Sequence, residues 1–230
     1  PDVQQLERRY QETFHMLTDR HIDFDYGEEQ MMAQYGAVEQ DADGRPALRI
    51  GEMVYHVVAV SGLETIRPST LRLLRDFMAI GGCVIFAGDV PAYVDGARSE
   101  APAQAASNAV CVPFDGDCLA AAVRAAASDT ISVETAAGEE AKDVFIQMRR
   151  YGDSVGFVLL NTDRDHPTGE LTVRIPCGQA MHVELWDMAS GQRFRADRLA
   201  GFENGILSIH TSLNAAGTSA FVLTQTADQT

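Results

Sequence analysis

Residues Tyr55 to Gly96 read strand, turn, helix, glycine pair, strand, and that order leaves few folds open. The apolar run Val57–Val60 is followed by a Pro-Ser-Thr helix start at Pro68. Leu71, Leu74, Phe77 and Met78 then fall on one side of a helix, Gly81-Gly82 ends it, and Val84–Ala87 form a second apolar strand. Short continuous apolar runs joined by a helical crossover predict a βαβ unit of a parallel, helix-covered sheet. Such sheets gather ligand groups at the carboxyl ends of their strands. The residues there are therefore the first candidates for function.

On either side of this unit the pattern changes. Residues 3–20 place Leu6, Tyr10, Phe14 and Leu17 three or four apart, which predicts an amphipathic helix. The alternation from His21 to Tyr26 predicts a strand, Glu28–Tyr35 a short helix, and Ala37–Glu39 with Ala47–Ile50 a hairpin around the turn Asp41–Gly44. Ala97–Ser107 reads as a surface loop, Ala109–Phe114 as a strand and Leu119–Ala127 as a helix. From Thr130 onward short strands at 131–134, 144–150, 155–161, 169–175, 182–187, 192–196, 205–209 and 220–225 alternate with turns such as Tyr151-Gly152-Asp153 and Glu203-Asn204-Gly205, at a spacing that predicts an antiparallel β-sandwich. The expected division is a flavodoxin-like α/β domain over 1–128 and a β-sandwich over 129–230. A doubly wound sheet ordinarily opens with a strand, whereas this chain opens with a helix and starts at Pro1 rather than Met. Both features predict a fragment or processed product whose first strand comes from elsewhere.

The net charge of −15 excludes a basic nucleic-acid surface and an anionic membrane surface as partners. No apolar run reaches the length of a membrane span, and no signal peptide is visible. Of the four cysteines, Cys83, Cys111, Cys118 and Cys177, none forms a C-x-x-C pair, and Cys83 and Cys111 lie in apolar runs. Buried free thiols, a reducing setting and a cytoplasmic location are the corresponding expectations.

The order of these pieces resembles the carboxyl-terminal half of large glycoside hydrolases, the beta-galactosidase-like enzymes and the alpha-L-rhamnosidase-like family 106 proteins. The residues that carry the resemblance are 21–29, 47–62 and 70–96, then Arg149-Arg150, 156–161 and 183–192. In those proteins a catalytic barrel precedes a domain shaped like a class I glutamine amidotransferase (flavodoxin-like), and β-sandwich modules follow. The resemblance implies an accessory region whose partner is the barrel, with the catalytic acids outside these residues. It also implies bracing of the barrel, shaping of the cleft or homo-oligomer contacts as its role, and carbohydrate as the setting.

The residues themselves carry little chemistry. Aligning the amidotransferase G-x-C-x-G turn with Ile85-Phe86-Ala87-Gly88 puts Ala87 at the nucleophile position, and Cys83 lies four residues earlier within the strand. Asp23, Asp25, Ser61, Glu64 and Asp89 are expected to converge at the strand ends, where carboxylates suit Mg²⁺ and also suit helix caps and turns. No cofactor and no metal are expected. The adjacent acids Glu28-Glu29, Glu139-Glu140 and Asp163/Asp165 read as helix starts or turns rather than a glycosidase pair. No two of the six histidines have metal-pair spacing. Trp186, the only tryptophan, reads first as core or inter-module packing and second as a platform for a sugar ring. Three functions follow in order: a non-catalytic accessory region; a carbohydrate-binding module using Trp186; and a stand-alone enzyme with an acidic strand-end site.

Overall fold

A computed structural model of the chain describes residues 3–127 and 130–225. It contains two compact units, Pro1–Met16 with Phe24–Ser128, and Leu17–Asp23 with Asp129–Thr230. The second unit thus includes a short piece from near the start of the chain.

The first unit begins with α1 (Val3–Thr18) as far as Met16, then α2 (Glu29–Tyr35) and a meander of β1 (Gly36–Gln40), β2 (Pro46–Ile50) and β3 (Met53–Tyr55). The Glu28 carboxylate accepts from the amides of Gln30 and Met31, which starts α2. Next come β4 (Val57–Ser61), β5 (Thr65–Ile66), α3 (Pro68–Ala79) and β6 (Cys83–Ala87). Pro68 starts α3, and the amides of Gly81 and Gly82 close its end on the carbonyls of Met78 and Phe77. The unit continues through β7 (Tyr93–Val94), β8 (Ala97–Arg98), α4 (Ala101–Ala106), β9 (Val110–Val112) and α5 (Gly116–Ala126).

Strands β4, β6 and β9 form a parallel sheet in that order. Val84 and Phe86 share a buried cluster with Leu74 and Phe77 of α3. Ile85 and Ala87 are equally buried and alternate to the opposite face. Helix α5 packs against β6 and β9. A strand buried on both faces explains why β6 reads as an unbroken apolar run rather than an alternation.

In the second unit β10 (Ser132–Thr135), β11 (Val144–Tyr151), β12 (Ser154–Asn161), β13 (Leu171–Pro176), β14 (Met181–Trp186) and β15 (Arg193–Arg195) lead to a 3₁₀ turn at Asp197–Leu199. Strands β16 (Ala200–Glu203), β17 (Ile206–Thr211) and β18 (Thr218–Gln225) follow. They form two antiparallel sheets, ordered β10-β13-β17-β16 and β11-β12-β18-β14-β15. Val133, Val173 and Ile209 of the first sheet share one buried cluster with Phe157, Leu159 and Phe221 of the second. The rings of Phe157 and Phe221 stack with centroids 5.2 Å apart.

Four expectations need correction. His21–Tyr26 is not a strand: His21 closes a turn with φ 58°, and the residues after it join no sheet. Ala97–Ser107 is not a loop; small residues there form β8 and α4, whose Pro102, Ala105 and Ala106 are buried. Cys111 is exposed and Cys83 half-buried, because β9 is an edge strand and Cys83 opens β6 rather than lying within it. Strand β16 has no counterpart in the sequence reading, since its last three residues are exposed and show no alternation.

Candidate functional site

In the first unit the carboxyl ends of the parallel strands open on a cleft of about 370 Å³, lined by Arg9, Gly62, Gly88, Asp89, Val112, Pro113 and Phe114. Each parallel strand delivers one part of it: Gly62 follows β4, Gly88-Asp89 follow β6, and Val112 ends β9. Two glycines make the cleft compatible with its walls. Gly62 has φ +67°, and a Cβ there would stand 2.9 Å from the Cβ of Arg9. Gly88 has φ +83°, and a Cβ there would stand 2.8 Å from the Cβ of Phe114. An L side chain at either place meets both backbone strain and a clash.

The polar groups at the cleft satisfy one another. The Arg9 guanidinium lies 3.2 Å from the carboxylate of Asp89, whose side chain is 82% exposed. An ion pair this open to water is worth at most about 1 kcal/mol. Ser61 Oγ and Thr13 Oγ1 are 2.9 Å apart, and the Thr13 hydroxyl donates to the Arg9 carbonyl at 2.8 Å. One hydroxyl has one proton, so Ser61 is the donor to Thr13. No imidazole accepts that proton: His56 instead meets the Pro46 carbonyl at 2.9 Å and the Asp41 carboxylate at 3.4 Å. The turn after β6 carries Ala87-Gly88-Asp89, without a thiol. Burial pushes the Cys83 thiol above its ordinary value, which disfavours the thiolate.

Of the five acids and hydroxyls expected at the strand ends, Asp89 lines the cleft, and Ser61 sits one residue before its Gly62 wall, bonded to Thr13. The other three do not line it. Asp25 accepts a 2.8 Å hydrogen bond from the Tyr55 hydroxyl. At Glu64 it is the main-chain carbonyl that is engaged, by the amides of Ala92 and Tyr93. Asp23 belongs to the second unit and lies 3.9 Å from Arg149. For Asp23 and Asp25 the reason is that residues 22–28 form no strand, so these acids are not strand-end residues.

The adjacent acid pairs have structural partners. Glu28 caps α2, and Glu29 accepts from the Arg67 amide at 2.8 Å. Glu140 meets the Nδ1 of buried His21 at 2.8 Å, and Asp163 closes its turn on the amides of Asp165 and His166. Among the described residues no group of three or more His, Cys, Asp or Glu side chains is placed to hold a metal ion.

Trp186 ends β14 in the second unit and is 38% exposed. Its indole Nε1 donates to Glu184 at 2.9 Å, and the Arg193 guanidinium lies 5.4 Å from the ring centroid. It is therefore a surface residue of the five-stranded sheet, not a core residue of its unit. The strand periodicity contained that signal: Val183 and Leu185 face the core, so Glu184 and Trp186 face away from it.

No protein-family model matches the chain, and no curated protein matches it. Solved structures do. A rhamnosidase from Novosphingobium sp. PP1Y superimposes with a TM-score of 0.68 over 91% of this chain, at 15% sequence identity. An apo exo-carrageenase from Bacteroides ovatus superimposes with a TM-score of 0.54 over 95% of this chain, at 8% identity. The fold is shared with part of two glycoside hydrolases. This chain spans 20% of the rhamnosidase chain and 27% of the exo-carrageenase chain. No helix among the described residues is long and apolar enough to cross a membrane.

Proposed function

We propose that this chain is a non-catalytic accessory region of a glycoside-hydrolase-like protein, with a catalytic barrel of the same protein as its partner. The observation that carries the reading is the match to the rhamnosidase, which takes in 91% of this chain but only 20% of that one. The cleft chemistry supports it. A hydrolase needs a nucleophile and base, or two acids across a cleft. Here the one serine at the strand ends donates to a threonine, and the acid beside it is paired with an arginine. In this reading the parallel sheet is a flavodoxin-like domain that has no nucleophile, and the two antiparallel sheets are a β-sandwich. Together they brace the barrel, border its substrate cleft or mediate oligomer contacts.

The test is hydrolysis. The chain is incubated with a panel of aryl glycosides, including aryl rhamnosides and galactosides, and release of the phenol is followed. The expected result is no turnover above that of a heat-denatured control. Turnover of about 1 per second or more, the range of ordinary enzymes, that persists through further purification would overturn the reading.

A further inference from the structure

We infer that the outward face of the five-stranded sheet is a binding site for an uncharged oligosaccharide, centred on Trp186. Strand register fixes which side chains share that face. Trp186 pairs with Arg193 on one side and Ala220 on the other, Ala220 pairs with Val158, and Val158 with Gln147. The neighbouring row runs Arg195, Glu184, Val222, Gly156, Arg149. Residues directly opposite in an antiparallel sheet point to the same face. Each row therefore has a floor of small or modest apolar groups, with long planar polar side chains at both margins.

These residue types match a sugar. The indole supplies an apolar face for ring C–H groups, and its Nε1–H is already satisfied by Glu184, which also limits rotation of the ring. Carboxylate, guanidinium and amide groups have the planar donor and acceptor geometry that vicinal hydroxyls need. The charge balance selects an uncharged ligand. Arg195 is held by Asp197, Arg149 lies 3.9 Å from Asp23, and Glu184 lies directly opposite Arg195 and diagonal to Arg193. No unbalanced basic strip remains for a sulfated or uronic acid chain. From Trp186 on β14 to Gln147 on β11 there are three strand spacings, about 14 Å, which is longer than one sugar ring. The ligand is thus a chain of sugars lying across the strands.

This inference goes beyond the accessory role and shares only its carbohydrate setting. The test uses the intrinsic fluorescence of Trp186, the sole tryptophan in the sequence. The chain is titrated with neutral gluco-, galacto-, xylo- and rhamno-oligosaccharides, with sulfated and uronic acid oligosaccharides as the charged arm. Isothermal calorimetry repeats the measurement on variants. At least one neutral oligosaccharide should shift the emission saturably, and Trp186→Ala should weaken calorimetric binding about tenfold or more. Glu184→Gln and Gln147→Ala should each weaken it several-fold with the unfolding midpoint unchanged. These two variants keep the test valid if Trp186→Ala fails to fold. Binding of charged oligosaccharides alone overturns the inference, as does silence across the neutral panel or undiminished binding in the variants. Such silence leaves the accessory reading intact. Conversely, hydrolysis of aryl glycosides would end that reading without touching this face.

Discussion

His21 has a conformation that a non-glycine residue adopts only when its surroundings enforce it, with φ 58° and a fully buried side chain. Its Nδ1 lies 2.8 Å from the Glu140 carboxylate, and its Nε2 lies 3.2 Å from the Ala141 carbonyl. Truncation leaves both oxygens without this partner, so His21→Ala should lower the stability of the second unit by about 2–3 kcal/mol. Chemical denaturation followed by Trp186 fluorescence measures it; a change under about 0.5 kcal/mol would mean that solvent replaces the imidazole. Tyr26 offers a different residue-level observable. Its ring stacks on Tyr10 with centroids 4.4 Å apart, and its hydroxyl donates to the Tyr10 carbonyl at 3.3 Å. Partial burial, then the nearby Tyr10, pushes its pKa up to about 12. The raised value favours the neutral phenol in the native state. This contribution is complete below the ordinary pKa of about 10 and is lost as pH rises through the native value. An absorbance titration should show an ionisation step above the ordinary tyrosine range, and Tyr26→Phe should abolish it.

At the scale of elements, the start of α5 rests on one side chain. The Asp115 carboxylate accepts from the amides of Asp117 and Cys118. Asp115→Ala should therefore reduce the stability of the first unit by about 1 kcal/mol, and Asp115→Asn by much less, as measured by urea denaturation. Elements of this kind were legible in advance. The βαβ run, the hairpin around Asp41 and eight of the nine later strands carry their period or turn residues in the sequence. What escaped had no local signature. Helix α4 is built from alanines that bury only after folding, and β16 is exposed over its last three residues. The segment from His21 to Tyr26 alternates like a strand, yet long-range partners claim its ends: Glu140 holds His21, and Tyr10 stacks on Tyr26. The candidate site was legible in part. Position in the βαβ unit pointed to Asp89 and to Ser61 beside Gly62, whereas Arg9 lines the cleft and Thr13 bonds Ser61 from α1, which nothing near the strands announces. The register partners of Trp186 became visible only with the strand pairing.

For the whole molecule, pH dependence follows from carboxylates held below their ordinary values. In the second unit a turn amide at Asp163, the Ser190 hydroxyl at Asp187 and the Arg195 guanidinium at Asp197 are the leading causes. The Arg45 amide does the same for Asp41 in the first unit. A native pKa below the unfolded value favours folding. That contribution is complete above about pH 4 and disappears as pH falls through the lower native values. Against it, protonation relieves the repulsion of a chain carrying −15 at neutral pH. Thermal melts should therefore change little between pH 7 and the isoelectric region near 4.7, then fall steeply below pH 4. A melting temperature still rising at pH 3 would show that charge repulsion outweighs these local bonds.

Leu17–Asp23 belongs to the second unit although more than a hundred residues separate it from the rest of that unit. Dissection of the chain at the obvious boundary therefore produces an incomplete body. A fragment from residue 130 onward has no His21 to meet Glu140 and Ala141, and no Ile22, which is buried in the intact chain. It should bind a hydrophobic dye and aggregate on warming. A synthetic peptide spanning residues 17–23, or its fusion to the fragment through a flexible linker, should restore a cooperative melt. The unit is thus a split protein by construction, complemented by seven residues from its own amino-terminal region.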